Sequence, residues 1–216
     1  MRGSGVGVAL TKRPVYYERM GGNSTREHLL EVGLERIYST GYAATGVKEI
    51  LDFAKVPKGS FYHYFPSKEA FASEVLERYA ERESERSARL FSDKQIPPLI
   101  RLRGYFDEIA SVYGYVEETG QTGGCLLGNL SLEVADHSPA LQVLLKGTFQ
   151  HWMGAIAAVL REAIADGTLK SSVDPEALAN FLLNGWEGAL VRMKAEKSRE
   201  PIENFFHFVF EVLLQK

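Results

Sequence analysis

Two short segments parted by a four-residue break constrain this chain most. They lie in VKEILDFAKVPKGSFYHYF, residues 47–65. Val47, Ile50, Leu51 and Ala54 recur at the period of a helix with one buried face. Residues 55–58 form the break. Pro57 has no N–H and cannot continue the first helix, while its fixed φ suits the approach to the second. The second segment is short and dense in side chains that can touch a duplex. Ser67-Lys68-Glu69-Ala70 then opens a further helix. This is the pattern of a helix-turn-helix with its supporting helix, and it predicts a chain that reads double-stranded DNA.

The flanks are helical too. Thr25 is placed to cap a helix over residues 25–40, with Gly41 as its stop, and Thr45 to cap the next. Further helices are predicted over about 67–91, 99–118, 125–135, 138–166 and 174–197, with a last one from Pro201 to near Leu214. Pro97-Pro98, a glycine-rich stretch at 119–124, Gly167 and Asp174-Pro175 supply the punctuation. No strand pattern appears. The expectation is an all-α chain of about nine helices. Residues 1–23 read as a flexible leader, 24–70 as the helix-turn-helix domain, and 71–216 as a helical ligand-binding and dimerisation domain. Within the leader, Met1-Arg2-Gly3-Ser4 reads as a tag remnant, Met20 as an alternative start, and Lys12, Arg13 and Arg19 as a candidate arm on the DNA backbone.

Charge supports the division. Residues 1–70 carry ten Lys/Arg against seven Asp/Glu, a net of +3, and the remainder carries fifteen against twenty-one, a net of −6. A phosphate-binding module on an acidic body has this distribution. The single cysteine, Cys125, rules out an internal disulfide and a cysteine-based zinc site. It suits a reducing cytoplasm, where this chain is expected. No apolar run approaches the ~20 residues of a membrane helix. No cofactor or metal is expected; Glu133 and His137 stand four apart, but no third ligand accompanies them.

Within the recognition segment, Gly59 and Ser60 are small enough for close approach to a groove about 12 Å wide. Tyr62 and His63 can meet base edges, Tyr64 and Lys58 phosphates. Phe61 and Phe65 fall on one face and should fix the helix to its core. Thr45 and Gly46 begin the preceding helix, and Lys68 the following one, as further backbone anchors.

With Gly41-Tyr42, Thr45, Val47, Ile50, Ala54, Val56, Lys58-Gly59-Ser60-Phe61-Tyr62-His63-Tyr64-Phe65 and Lys68-Glu69, the chain resembles the TetR family of transcriptional repressors. The resemblance implies a homodimer on a near-palindromic operator, released when a ligand moves the long helix after the DNA module. Gly46, where relatives more often carry Thr or Ser, and Pro57, where many carry a capping Ser, depart from the pattern. Gly124-Cys125-Leu126, Asn129-Leu130, Glu133, Gly185-Trp186-Glu187-Gly188-Ala189 and Lys194 resemble a subgroup that answers to electrophiles or acrylate-like compounds.

Cys125 follows two glycines at a helix start, a position that favours the thiolate. It reads either as an electrophile sensor or as a small buried hydrophobe. Tyr113, Trp152 and Trp186 could wall an inducer pocket, with Asn129, Asn184 and Glu187 as its polar groups. Dimerisation is expected through Ala179, Leu182, Leu183, Trp186, Ala189 and Leu190 and through a last helix apolar on nearly all sides. Two rival readings are a thiol enzyme, pairing Cys125 with His137 or His151, and a helical scaffold indifferent to DNA.

Overall fold

Helix signals dominate the sequence, and the computed structural model is helical throughout its described residues, 24–113 and 123–214. The elements are α1 (Thr25–Thr40), α2 (Val47–Ala54), α3 (Ser60–Tyr64), α4 (Lys68–Ser92), α5 (Pro98–Tyr113), α6 (Leu126–Val134), α7 (Pro139–Ala165), α8 (Pro175–Glu196) and α9 (Glu200–Phe206). The last continues as a π-helical stretch, His207–Leu213. The all-α expectation holds. No described helix is long and apolar enough to cross a membrane. The leader at 1–23 and the Tyr113 side chain lie outside the described residues.

Side-chain caps satisfy the orphan N–H groups at helix starts. Ser67 Oγ accepts from Ala70 N–H, Ser138 Oγ from Leu141 N–H, and Asp174 from Glu176 and Ala177. The cap of α1 is Ser24, not Thr25. The cap of α2 is Gly46, not Thr45. Thr45 is instead fully buried, its hydroxyl donating to Gly41 O at 2.6 Å.

One hydrophobic core runs along the long helix α4. At one end it packs Leu30, Leu34 and Ile37 of α1, Ile50 and Leu51 of α2, and Phe61 and Phe65 against Phe71 of α4. The Phe71 ring stands 5.1 Å from Phe61 and 4.8 Å from Phe65, centroid to centroid. It reaches there only because Gly33 on α1 has no side chain: a Cβ would lie 2.1 Å from Phe71 Cζ. Farther along α4, Tyr79 and Phe91 are buried in the same core with Tyr105 and Phe106 (α5), Ile156 and Leu160 (α7), and Leu182 and Trp186 (α8). Arg78 pairs with Glu31 at 2.5 Å and with Glu27, reinforcing the α1–α4 junction. These groups are partly solvated, so each pair contributes about 0–1 kcal/mol.

α6 also touches the N-terminal module. Tyr38 O–H donates to Gly124 O at 2.9 Å, just before α6. At the other end of the helix, Ala43 N–H donates to Glu133 Oε2 at 2.8 Å. Glu133 is thus tied to the α1–α2 turn.

The stripe expected to form the dimer face is interior. Ala179, Leu182, Leu183, Trp186, Ala189 and Leu190 are all buried within the protomer. Helical periodicity identifies a face that must be covered, not what covers it. The uncovered apolar side chains of this region are Phe181 and Val191 on α8 and Phe208, Val212 and Leu213 beyond α9.

Gly33→Ala should lower stability by ~1–3 kcal/mol, because the methyl group must displace Phe71 from a packed core. Gly154→Ala, at an exposed position in α7 where a Cβ meets nothing within 4 Å, should raise it by ~0.5–1 kcal/mol. Urea unfolding of both variants against the parent checks the signs.

Candidate nucleic-acid interface and thiol site

α3 is five residues long, and its two phenylalanines decide what it shows to solvent. Phe61 and Phe65, one turn apart, are fully buried. Tyr62, off that face, is 65% exposed, and His63 is exposed beside it. Lys58 and Gly59 precede them in the open turn. A Cβ at Gly59 would meet nothing within 4 Å, so the backbone there is accessible to a bulky polyanion. Ser60 and Tyr64 are half-buried at the edges of this surface. The segment thus offers a cation, bare backbone and two hydrogen-bonding rings on a short, firmly seated helix, as groove readout requires.

Two of the expected backbone anchors are turned elsewhere. The Thr45 hydroxyl shares a 2.9 Å hydrogen bond with Thr40 in addition to its bond to Gly41 O. It does not face solvent, so it cannot hold a phosphate. Gly46 is exposed and offers no side-chain cap, leaving the N–H groups that open α2 available to an anion. Lys68 Nζ donates to Tyr42 O at 2.6 Å and lies 4.2 Å from the Tyr42 ring centre. Burial lowers its pKa, and its charge holds the α1–α2 turn against α4.

Cys125 occupies the N-cap of α6 and is 3% exposed. Tyr79 Oη stands 3.8 Å from its Sγ, and the Glu187 carboxyl borders the same small space beside Gly128. The helix start was expected to favour the thiolate. Burial foremost, and then the Glu187 charge, push the thiol well above its ordinary value instead. Burial also raises the Glu187 carboxyl to about 7. Its Oε1 is buried without a hydrogen-bond partner among the described residues. Gly128 makes room for this pair: a Cβ there would sit 2.5 Å from Glu187 Oε2 and 3.9 Å from Cys125 Cβ.

Of the other expected pocket residues, Asn129 is on α6, four residues after Cys125. It donates to Gly123 O at 3.2 Å and faces Lys194 Nζ at 3.5 Å, closing the turn before α6. Trp152 and Trp186 are core walls. The Trp152 N–H donates to the Tyr105 hydroxyl, and Trp186 packs 5.2 Å from Phe106 and 5.3 Å from Phe205. Asn184 is on the outer face of α8, bonded to Asn180 at 3.1 Å, and does not join the site. Tyr79 and Gly128 were not anticipated. Gly128 follows Cys125 by three residues on one helix face and was within reach of a spacing argument; nothing in the sequence marks Tyr79. A cleft of about 540 Å³ opens between α4 and α7, but its lining, including Ala80, Ser84, Val143 and His151, contains none of the expected sensor residues. His151 Nε2 lies 3.0 Å from Ser84 Oγ there.

Comparison with known proteins agrees with this geometry. Residues 29–75 match the family model described as bacterial regulatory proteins, tetR family, and residues 98–209 match tetracyclin repressor-like, C-terminal domain. The chain is 36% identical over 189 residues to the HTH-type transcriptional repressor DhaR of a Mycobacterium species, covering 88% of this chain and 92% of that one. It is 38% identical over 179 residues to the transcriptional regulator AcuR of Cereibacter sphaeroides, covering 83% and 80%. The crystal structure of Escherichia coli NemR in its reduced form superposes with a TM-score of 0.77 at 32% identity, covering 84% of this chain and 92% of that one.

The raised Glu187 carboxyl makes stability depend on pH. Between its ordinary 4.5 and about 7, the folded protein keeps a proton that the unfolded chain has lost. Stability therefore falls as pH rises through that window, and the loss is complete above it. Glu187→Gln should leave the melting temperature nearly unchanged at about pH 5 and raise it by a few degrees at about pH 8. Thermal unfolding at the two pH values reads the difference.

Proposed function

The chain belongs to the TetR family of transcriptional repressors, and we propose that it acts as a homodimer on a near-palindromic operator, released by an electrophile at Cys125 or by a small ligand bound beside it. The exposed set Lys58, Gly59, Tyr62 and His63, seated by two buried phenylalanines, carries the DNA-binding part of this reading. Lys58 meets phosphate; Tyr62 and His63 meet base edges; Ser60 and Tyr64 flank them. The bare start of α2 at Gly46 receives a second phosphate. The thiol-enzyme reading loses ground, since the relatives are regulators and His151 is bonded to Ser84 in a separate cleft.

Dimerisation follows from the apolar side chains the protomer leaves uncovered. Phe181 and Phe208 are each 60% exposed, and Val191, Val212 and Leu213 are exposed as well. A second copy laying the same side chains against them forms a closed two-fold contact and leaves no sticky surface. Two recognition helices then address half-sites about 34–36 Å apart. The cell compartment is the cytoplasm, where a lone thiol stays reduced. The sensing part rests on the buried thiol–carboxyl pair at the start of α6, and one relative is known in a reduced form.

Fluorescence anisotropy with the duplex upstream of the gene, against scrambled competitor, tests the central claim. Binding tighter than scrambled by ~10³ or more is expected. Tyr62→Ala should cost ~1–3 kcal/mol on the operator and little on scrambled DNA, while Lys58→Ala should weaken both and reduce the salt slope by about 1. Equal loss on both duplexes for Tyr62→Ala would remove its base-reading role. For the dimer, Phe208→Asp should raise the dissociation constant by roughly 30-fold or more, the effect of losing a ~2 kcal/mol anchor, in sedimentation equilibrium.

A further inference from the structure

Cys125 is buried and held as a thiol, yet the thiol is not the nucleophilic form. A reaction at this sulfur needs a group that removes its proton as the new bond forms. Around the sulfur, α4 presents Tyr79 and, beyond it, Glu83; α5 presents the Tyr105 hydroxyl; α6 presents Asn129; α8 presents Glu187 and Lys194. Of these, Glu187 is the acceptor that borders the same space as the thiol. A Cβ at Gly128 would lie 2.5 Å from its Oε2 and 3.9 Å from Cys125 Cβ, and its Oε1 is buried with no partner among the described residues. Lys194 is exposed with its ammonium toward Asn129, so it does not occupy that oxygen. Nucleophile and base bordering one small, water-poor space are the arrangement a concerted thiol addition requires.

We propose that Glu187 is the general base of the sensor, taking the Cys125 proton as the sulfur adds to an uncharged, electron-poor alkene. This rests on the reading of Cys125 as the sensing residue. In the addition the sulfur lone pair forms an S–C bond to the β-carbon, and the alkene π pair moves toward the activating group. The S–H bond breaks and its proton goes to Glu187, which then returns it to the α-carbon and is regenerated as the carboxylate. The reaction is redox-neutral and consumes no oxidant. The base also selects the reagent. An alkene bearing its own carboxylate brings a second negative charge against Glu187 in a water-poor site, so neutral amides, ketones and aldehydes are favoured over carboxylates.

The test measures alkylation of the full-length dimer by acrylamide with intact-mass spectrometry, which reports one site because the chain has one cysteine. The rate should rise through pH about 7 with ionisation of Glu187 and then level off. Glu187→Gln should slow it by ~10²-fold or more at about pH 8 and abolish the inflection, and Glu187→Asp should restore the inflection. Acrylate should react more slowly than acrylamide, and the gap should narrow in Glu187→Gln. A rate that climbs with pH without levelling, and that neither variant alters, overturns the role of Glu187 and leaves the sensor reading intact. Native protein that resists acrylamide at every pH, yet is alkylated in urea, overturns both.

Discussion

The seat of Phe71 on Gly33 is the contact on which the two halves of this protein depend. One missing methyl group lets the first turns of α4 enter the core beneath α1 and α3, where Phe71 touches the two rings that fix the recognition segment. Eight residues later the same helix buries Tyr79 beside Cys125. Eight residues of α-helix span ~12 Å and bend little unless a proline or bulge intervenes. The ring that sets the attitude of α3 and the hydroxyl that faces the thiol are therefore parts of one stiff body. A group added to the sulfur cannot be accommodated by moving Tyr79 alone.

α6 supplies a second link. Gly124, next to Cys125 in sequence, accepts from Tyr38 of α1, and Glu133 at the far end of α6 accepts from Ala43 in the α1–α2 turn. The turn is held from the other side by Lys68 of α4. A neutral hydrogen bond contributes ~0.5–1.5 kcal/mol net, and one to a charged group ~1.5–3 kcal/mol. Couplings between sites in regulated proteins typically amount to ~1–3 kcal/mol. Loss of these two contacts is thus of the size needed to change affinity for DNA, without any large rearrangement of the core.

Much of the fold was legible in the sequence because helix ends carry local chemistry. Ser67, Ser138, Asp174-Pro175 and Gly41 each mark a boundary through an interaction with their own neighbours. The misreadings share a different cause. Thr45 has the composition of a cap, but Gly46 takes that position and the threonine turns inward. Lys68 has the composition of a phosphate anchor, and Tyr42, distant in sequence, engages one of its donors and steers it. Leu182, Leu183 and Leu190 announce a buried face without naming its partner, which is the protomer's own core. Asn184 is in the right helix for a pocket but on the outer side. In each case the residue type was informative and its direction was decided by tertiary packing.

The same distinction governs the thiol. Position at a helix start argues for a reactive thiolate, because the N-terminal dipole stabilises negative charge by ~0.3–1 kcal/mol in exposed settings. Removing an unpaired charge from water costs several times more. At Cys125 burial wins, and the neighbouring carboxyl adds to the effect while being raised by the same burial. The thiol stays protonated at neutral pH while the carboxyl is near the middle of its titration, so the pair is quiet in its resting state. That quietness is compatible with sensing. In the proposed mechanism a thiol kept neutral by its surroundings ignores weak oxidants and bulky reagents, and reacts when a small molecule enters that can be attacked while the proton passes to the neighbouring carboxylate.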